Sequence, residues 1–261
     1  MQFEDIDGGK KFDFGKTSAD YAKYRDIYPS SMYQKLYDFG IGHKGDTVLD
    51  LGTGTGVLPR AMHKYGAHFV GTDISKEQIE MAKLISAQNN LDIEYKVCPA
   101  EDTGLPSSTF DSVTACQCFI YFDKSKALPE IVRVLKKNGL FATIWMTWLP
   151  YEDKIAKASE DLVLKYSPTW TGAGYVKEKA YVPDWSKELF ESKEMISYDE
   201  YLPFTKESWL GRMRACRGVA ASLSAAEIEA FDKEHAKLLD NIVPDEFEIL
   251  HQIIINVFKA K

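Results

Sequence analysis

The chain has 261 residues, 45% of them hydrophobic, and a formal net charge of −7 at pH 7. That length accommodates one large domain, or a domain with a substantial insertion, and the apolar share supplies a sizeable core. The negative charge argues against a nucleic-acid backbone as partner. No apolar run reaches the length of a membrane span, and residues 1–15 lack the apolar core of a signal peptide. The four cysteines, Cys98, Cys116, Cys118 and Cys216, lack metal-site spacing. We therefore expect no metal and a cytoplasmic setting, with Cys116 and Cys118 as reduced core residues on one strand face.

Residues 1–40 are polar and aromatic, with Phe12, Phe14, Tyr21, Tyr24, Tyr28 and Tyr33. Gly42 to Asp46 is a short turn into the first strand, and Thr47 to Asp50 reads as the end of that strand, buried and parallel. The run Gly52-Thr53-Gly54-Thr55-Gly56 follows. Then Leu58, Ala61, Met62 and Tyr65 recur at helical spacing, so the glycine turn opens a helix. Strand, turn and helix start together suit a nucleotide-like ligand, because glycines admit close backbone approach. The dinucleotide fingerprint fails: its third glycine falls on Val57 counted from Gly52, and on Pro59 counted from Gly54. A P-loop fails too, because no Gly-Lys-Ser/Thr follows.

His68 to Asp73 reads as the second strand. An acid there can accept both ribose hydroxyls of an adenosine, or it can simply cap the next helix. Ser75 and Gln78 form a capping-box pattern opening a helix over Lys76 to Gln88, with Ile79, Met81, Ala82 and Ile85 inward. A third short strand ends near Val97, before Cys98-Pro99-Ala100-Glu101-Asp102, and Asp102 to Ser108 is a loop. Phe110 to Ala115 is the fourth strand. Gln117, Cys118, Phe119 and Tyr121 follow it, on the edge where open parallel sheets place ligands. A helix over Lys124 to Lys137 buries Leu128, Ile131, Val132 and Leu135, and Asn138-Gly139 ends it. Leu140 to Trp145 is the fifth strand.

Beyond Trp145 the pattern changes. Residues 147–192, with Trp148, Pro150, Tyr151, Tyr166, Trp170 and Tyr175, read as a substrate-side insertion of mixed helix and loop. Lys193 to Leu202 is a sixth strand. One helix spans Lys206 to Ala221, carrying Trp209, Arg212, Arg214, Cys216 and Arg217. A second spans Ala225 to Ile242, with Ile228, Phe231, His235, Leu238, Leu239 and Ile242 on one stripe. Phe247 to Phe258 is the last strand, apolar on both faces and so internal to a sheet. His235 is either a core histidine or a general base; His251 reads as core. Arg214 and Arg217, three apart, could clamp a carboxylate or pair with acids such as Glu227 or Glu229.

The acid and three alternate glycines, Asp50-Leu51-Gly52-Thr53-Gly54-Thr55-Gly56, resemble motif I of class I S-adenosylmethionine (SAM) dependent methyltransferases. The elements from Thr47 to Met146 follow that family's order. Tyr21-Ala-Lys-Tyr24-Arg25-Asp26-Ile27-Tyr28-Pro29 resembles the Tyr-x-x-Tyr-Arg-Pro-x-Tyr-Pro lid of small-molecule methyltransferases, with Asp26 in place of a proline. Cys116 to Asp123 resembles relatives with a His-Trp pair where Ile120 and Tyr121 stand here, which removes a possible base. The C-terminal region is similar to the trans-aconitate and quinone-pathway methyltransferases.

The resemblance implies an α/β, Rossmann-like, seven-stranded, mostly parallel sheet with helices on both faces. Its strand order is 3-2-1-4-5-7-6, with strand 7 antiparallel. It implies a single methyltransferase domain over 1–261: an N-terminal helical lid (1–40), a SAM-binding core (41–146), the insertion (147–192) and C-terminal strands and helices (193–261). The implied cofactor residues are Tyr24, Arg25, Asp50, Gly52, Thr53, Gly54, Gly56, Asp73, Ile74, Gln78, Ala100, Glu101 and Gln117. The acceptor is expected to be a small molecule, a carboxylate or hydroxyl, near Tyr121 and Trp145, with Arg214, Arg217 or His235 in attendance. An NAD(P)-dependent oxidoreductase and a non-catalytic SAM-binding regulator are the rival readings. No nucleic acid and no membrane are expected as partners, and the oligomeric state stays open.

Overall fold

The computed structural model describes residues 3–17, 22–24 and 26–261. Two residues of the lid pattern, Tyr21 and Arg25, lie outside the described residues. Seven strands form one sheet: β1 Thr47–Leu51, β2 His68–Asp73, β3 Glu94–Val97, β4 Phe110–Cys116, β5 Leu135–Trp148, β6 Phe190–Thr205 and β7 Glu246–Ala260. Their order is β3-β2-β1-β4-β5-β7-β6, mostly parallel with β7 antiparallel, as expected. Among the described residues the α-helices are α1 Ser30–Asp38, α2 Val57–Met62, α3 Lys76–Gln88, α4 Lys124–Val134, α5 Lys154–Tyr166, α6 Lys206–Arg214 and α7 Ala225–Ile242.

The chain divides into two compact units. One comprises Tyr28–Met146, Lys179–Tyr198 and Ile253–Lys261. Its core joins Leu49 and Leu51 of β1 to Phe110, Val113, Phe141, Phe190 and Phe258. In β1, Val48, Leu49 and Leu51 are all buried, the double-sided burial of an inner parallel strand. Val48 pairs with Phe69 on one side and Ser112 on the other, so β1 carries its C-terminal Asp50 to the middle of the sheet edge. The other unit comprises Met1–Ile27, Thr147–Glu178 and Asp199–Gln252. Its interior is aromatic, with Trp148 edge-on to Trp209 at 5.6 Å and Phe204 stacked on His251 at 5.9 Å. Hydroxyl and carboxylate caps start its helices. Asp153 accepts the N–H groups of Ile155 and Ala156, and capping boxes join Thr205 to Ser208 and Ser224 to Glu227.

Four sequence expectations need correction. The helix predicted to run to Lys137 stops at Val134, because Leu135 already pairs with Phe110. The next pair is Ser112 with Leu140, so residues 136–139 bulge out within β5. Asn138 turns there with φ 65, and a Cβ on Gly139 would stand 2.9 Å from the Lys136 carbonyl. Second, β5 runs on to Trp148, so Trp145 lies inside the strand rather than at its end. Third, the helix predicted over Lys206 to Ala221 ends at Arg214. Turns follow, in which Val219 N–H donates to Cys216 O and Gly218 comes so close to Trp170 that a Cβ there would lie 2.6 Å from the ring. Fourth, β4 ends at Cys116, so Cys118 is not on its face; all four cysteines are free thiols.

Candidate functional site

The glycine turn is stitched to its neighbours. Thr53 N–H donates to Thr72 O at 2.8 Å and Gly56 N–H to Thr53 O at 2.9 Å. Gly52, Gly54 and Gly56 all sit at positive φ, 59°, 56° and 78°. Two of them are also required by close protein packing: a Cβ on Gly52 would meet Cys118 at 2.7 Å, and one on Gly56 would meet the Tyr95 hydroxyl at 2.3 Å. Beneath the turn, Asp50 is 2% exposed. Its two carboxylate oxygens accept the hydroxyls of Thr53 (2.7 Å) and Thr114 (2.6 Å).

Asp73 does two things at once. One oxygen accepts Gly54 N–H at 2.9 Å, tying the turn to the end of β2. The other accepts Ser75 N–H at 2.9 Å, at the start of α3. Burial pushes the Asp50 carboxyl up to about 6, against its two threonine bonds, and the Asp73 charge adds to that rise. Burial likewise raises Asp73, against the N–H groups of Ser75, Gly54 and Ile74. Two enclosed carboxylates whose neighbours are hydroxyls, N–H groups and each other are suited to a ligand bearing positive charge.

The remaining predicted residues of this unit follow Asp73 in the chain. Ile74 is 60% exposed, a large apolar side chain open to a ligand beside Asp73. Gln78 is buried on α3, where Ser75 accepts its N–H. Ala100 is buried, and Glu101 accepts the N–H of Asp123, the N-cap of α4, at 2.8 Å. Gln117 follows β4 with φ 65, a conformation uncommon outside glycine. Its N–H donates to Ile144 O at 2.9 Å and its side-chain amide to Met146 O. Tyr121 closes a single 3₁₀ turn, Phe119–Tyr121, that begins three residues past the strand. Sequence reasoning missed Thr114, Tyr95, Gly71 and Glu130. Gly71 makes room for Tyr95 and Thr53, whose atoms would lie 2.8 and 2.9 Å from a Cβ there; a glycine inside an otherwise apolar strand was the available signal.

In the other unit, Tyr24 is buried and its hydroxyl donates to Glu207 at 3.1 Å. Its ring lies where a Cβ on Gly211 would stand, 2.3 Å away. Arg25 lies outside the described residues. Arg214 pairs with Asp232 at 2.7 Å. Arg217, beyond the end of α6, pairs with buried Asp7 at 2.6 Å and donates to Thr171 at 2.9 Å. The two arginines therefore do not share a helix face, and their acids are not Glu227 and Glu229. Glu227 closes a capping box with Ser224, and Glu229 pairs with Lys233. His235 is fully buried, its Nε2 2.9 Å from Ser159 Oγ, which also accepts Trp209 Nε1–H at 2.9 Å. Burial lowers His235 to about 4 and His251 to about 3. Among the described residues no cluster of three His, Cys, Asp or Glu side chains could hold a metal, and no helix is long and apolar enough to cross a membrane.

Comparison with known proteins bears on the same region. Residues 49–143 match a family described as a methyltransferase domain. A Schizosaccharomyces pombe protein named as an uncharacterized methyltransferase is 26% identical over 241 residues, 88% of this chain and 86% of that one. The ubiquinone biosynthesis O-methyltransferase of Haemophilus ducreyi is 28% identical over 186 residues, covering 67% and 78%. A Dictyostelium discoideum relative is 31% identical over 131 residues, so the chain spans about half of that protein, 48%. Among solved structures, the YcgJ protein of Bacillus subtilis superposes with a TM-score of 0.56 at 22% identity, over 89% of this chain and all of that one, which speaks for the fold alone.

Proposed function

We propose, from the premise that this chain is a class I SAM-dependent methyltransferase of the small-molecule type, that it methylates an oxygen of a small acidic acceptor. The observation that carries the cofactor side is the pair Asp50 and Asp73 under the glycine turn. SAM, when bound, supplies an electrophilic methyl group on a sulfonium and carries an ammonium as a second positive charge. The residues present fit it. Asp50 and Asp73 offer negative charge in a protected setting. Gly52, Gly54 and Gly56 give a turn without side chains, and Ile74 gives an apolar face. In this reading Asp73 turns its remaining lone pairs to the ribose, while Ala100 and Glu101 stand beside the nucleobase and Gln117 borders the methyl group.

The oxygen acceptor is supported by the name of the Haemophilus ducreyi relative, an O-methyltransferase. An acceptor already ionised needs no general base, and both histidines of the C-terminal elements are wholly enclosed and lowered in pKa. A carboxylate or an acidic phenol therefore suits the chain better than an alcohol. The work of the protein is then to exclude water and hold the acceptor oxygen in line with the methyl. The test is transfer of labelled methyl from SAM across a panel of small carboxylates, phenols and alcohols. Label in an ester or ether of an acidic member supports the reading. Label confined to amines, or to alcohols, would overturn the acceptor assignment.

A further inference from the structure

The loop that follows β3 is fastened by a buried carboxylate on α4. Thr103 donates both its N–H, at 2.9 Å, and its hydroxyl, at 2.6 Å, to Glu130 Oε1. Arg133, one helical turn on, donates Nε to Glu130 Oε2 at 2.6 Å and Nη2 to Oε1 at 2.7 Å. Thr103 is 1% exposed and Glu130 9%. Lys96 adds a third hold, donating to the Thr103 carbonyl at 2.8 Å. Further back, Cys98 N–H donates to Asp73 O at 3.0 Å and Glu101 accepts Asp123 N–H. The segment between these anchors is short and polar, with Gly104 at φ 58, and has many alternatives open to it when untied. It also carries Ala100 and Glu101, which stand beside the nucleobase in the reading above, on which this inference rests.

We propose that Glu130, steered by Arg133, is a positioning residue for the nucleobase: through Thr103 it sets the loop bearing Ala100 and Glu101, and with it the preference for adenine. The carboxylate has four donors on its two oxygens: both loop donors and the arginine Nη2 on Oε1, and the arginine Nε on Oε2. A leucine there has no acceptor and leaves both loop donors and the arginine Nε and Nη2 unpaired. A base edge is discriminated when fixed polar groups are left unpaired by the wrong base, and loosening the loop removes that penalty.

The experiment compares binding of S-adenosylhomocysteine and S-inosylhomocysteine, which differ only at the base, to the wild-type protein and to Glu130→Leu, Thr103→Val and Thr103→Ser. The wild type is expected to prefer adenine at least tenfold. Glu130→Leu and Thr103→Val should cut the preference to threefold or less, and Thr103→Ser, which keeps the hydroxyl, should retain it. A merely structural role would weaken both nucleosides alike and leave the ratio unchanged. A folded Glu130→Leu or Thr103→Val with wild-type preference overturns the inference while leaving the site reading intact. Equal binding of both nucleosides by the wild type overturns the placement of the nucleobase at this loop, and the inference with it.

Discussion

The Asp73 carboxylate accepts the Gly54 backbone N–H at 2.9 Å, joining the second strand's terminal acid to the middle of the glycine turn. This bond makes Asp73 part of the turn's architecture, beside the ribose role proposed for it. Asp73→Ala is expected to weaken SAM binding by about 1–3 kcal/mol, the scale of a lost charged hydrogen-bond partner. Because Gly54 N–H also loses its acceptor, the variant should unfold at lower denaturant. Calorimetry and urea melts on the same preparation separate the two effects. Unchanged affinity in the folded variant would remove Asp73 from the site.

Asp50 predicts a pH dependence with opposite signs for binding and for stability. Its folded carboxyl stands at about 6, above the ordinary 3.8. Between those values the folded protein holds more protons than the unfolded chain, so this group's contribution to stability grows as pH falls from 6 toward 4. Affinity for a cationic ligand goes the other way, because the charge that attracts it is neutralised. SAM affinity should drop between pH 7 and pH 5, and Asp50→Asn should flatten that drop. A pH-independent affinity for wild-type protein over this range contradicts the assignment.

The two buried histidines act on stability from the other side. His235 and His251 are lowered from 6.5 to about 4 and about 3. Each binds its proton in the unfolded chain first, so the stability it contributes is complete above pH 6.5 and is lost as pH falls toward those values. One pKa unit corresponds to about 1.4 kcal/mol. Two such groups outweigh the opposing Asp50 term, so denaturant midpoints should fall between pH 6.5 and 4. His251→Gln should remove about one proton from the uptake that accompanies unfolding there. A flat profile would show that these rings are not enclosed.

Arg217 and Asp7 form a buried pair, with Arg217 Nε 2.6 Å from one oxygen and Nη2 3.0 Å from the other. Thr171 completes the set, donating its N–H to Asp7 at 2.8 Å. Removing one partner strands the other, so Asp7→Ala should cost about 3–5 kcal/mol in urea melts. An arginine reserved for an acceptor would behave differently, and Asp7→Ala would then leave stability nearly unchanged.

The sheet was legible because each strand carried its own signal. β2, α3 and α7 fall on their predicted bounds, since an acid or a hydroxyl cap closes each against a clear apolar period. The misses share a cause. Leu135 satisfies the helical stripe of α4 and the strand pairing with Phe110 equally well, and only the pairing in three dimensions decides between them. Arg214 and Arg217 were placed on one helix because nothing local announces its end. The helix stops at Arg214, and turns then carry the chain to Gly218, which packs on Trp170, 48 residues away in sequence. Asp50 and Asp73 could be found from position alone. Glu130 looked like one more helix-surface acid, because its partner Thr103 lies in a loop with no periodicity to place it.

The measurement closest to the central claim is calorimetric titration of the purified protein with SAM and with NADH, repeated on Asp50→Asn and Gly54→Val. The account predicts saturable SAM binding without NADH binding. It also predicts weaker SAM binding in Asp50→Asn and none in Gly54→Val, where a branched side chain meets a backbone at φ 56. Saturable NADH binding with no SAM binding, or SAM binding unaltered in both variants, would contradict it.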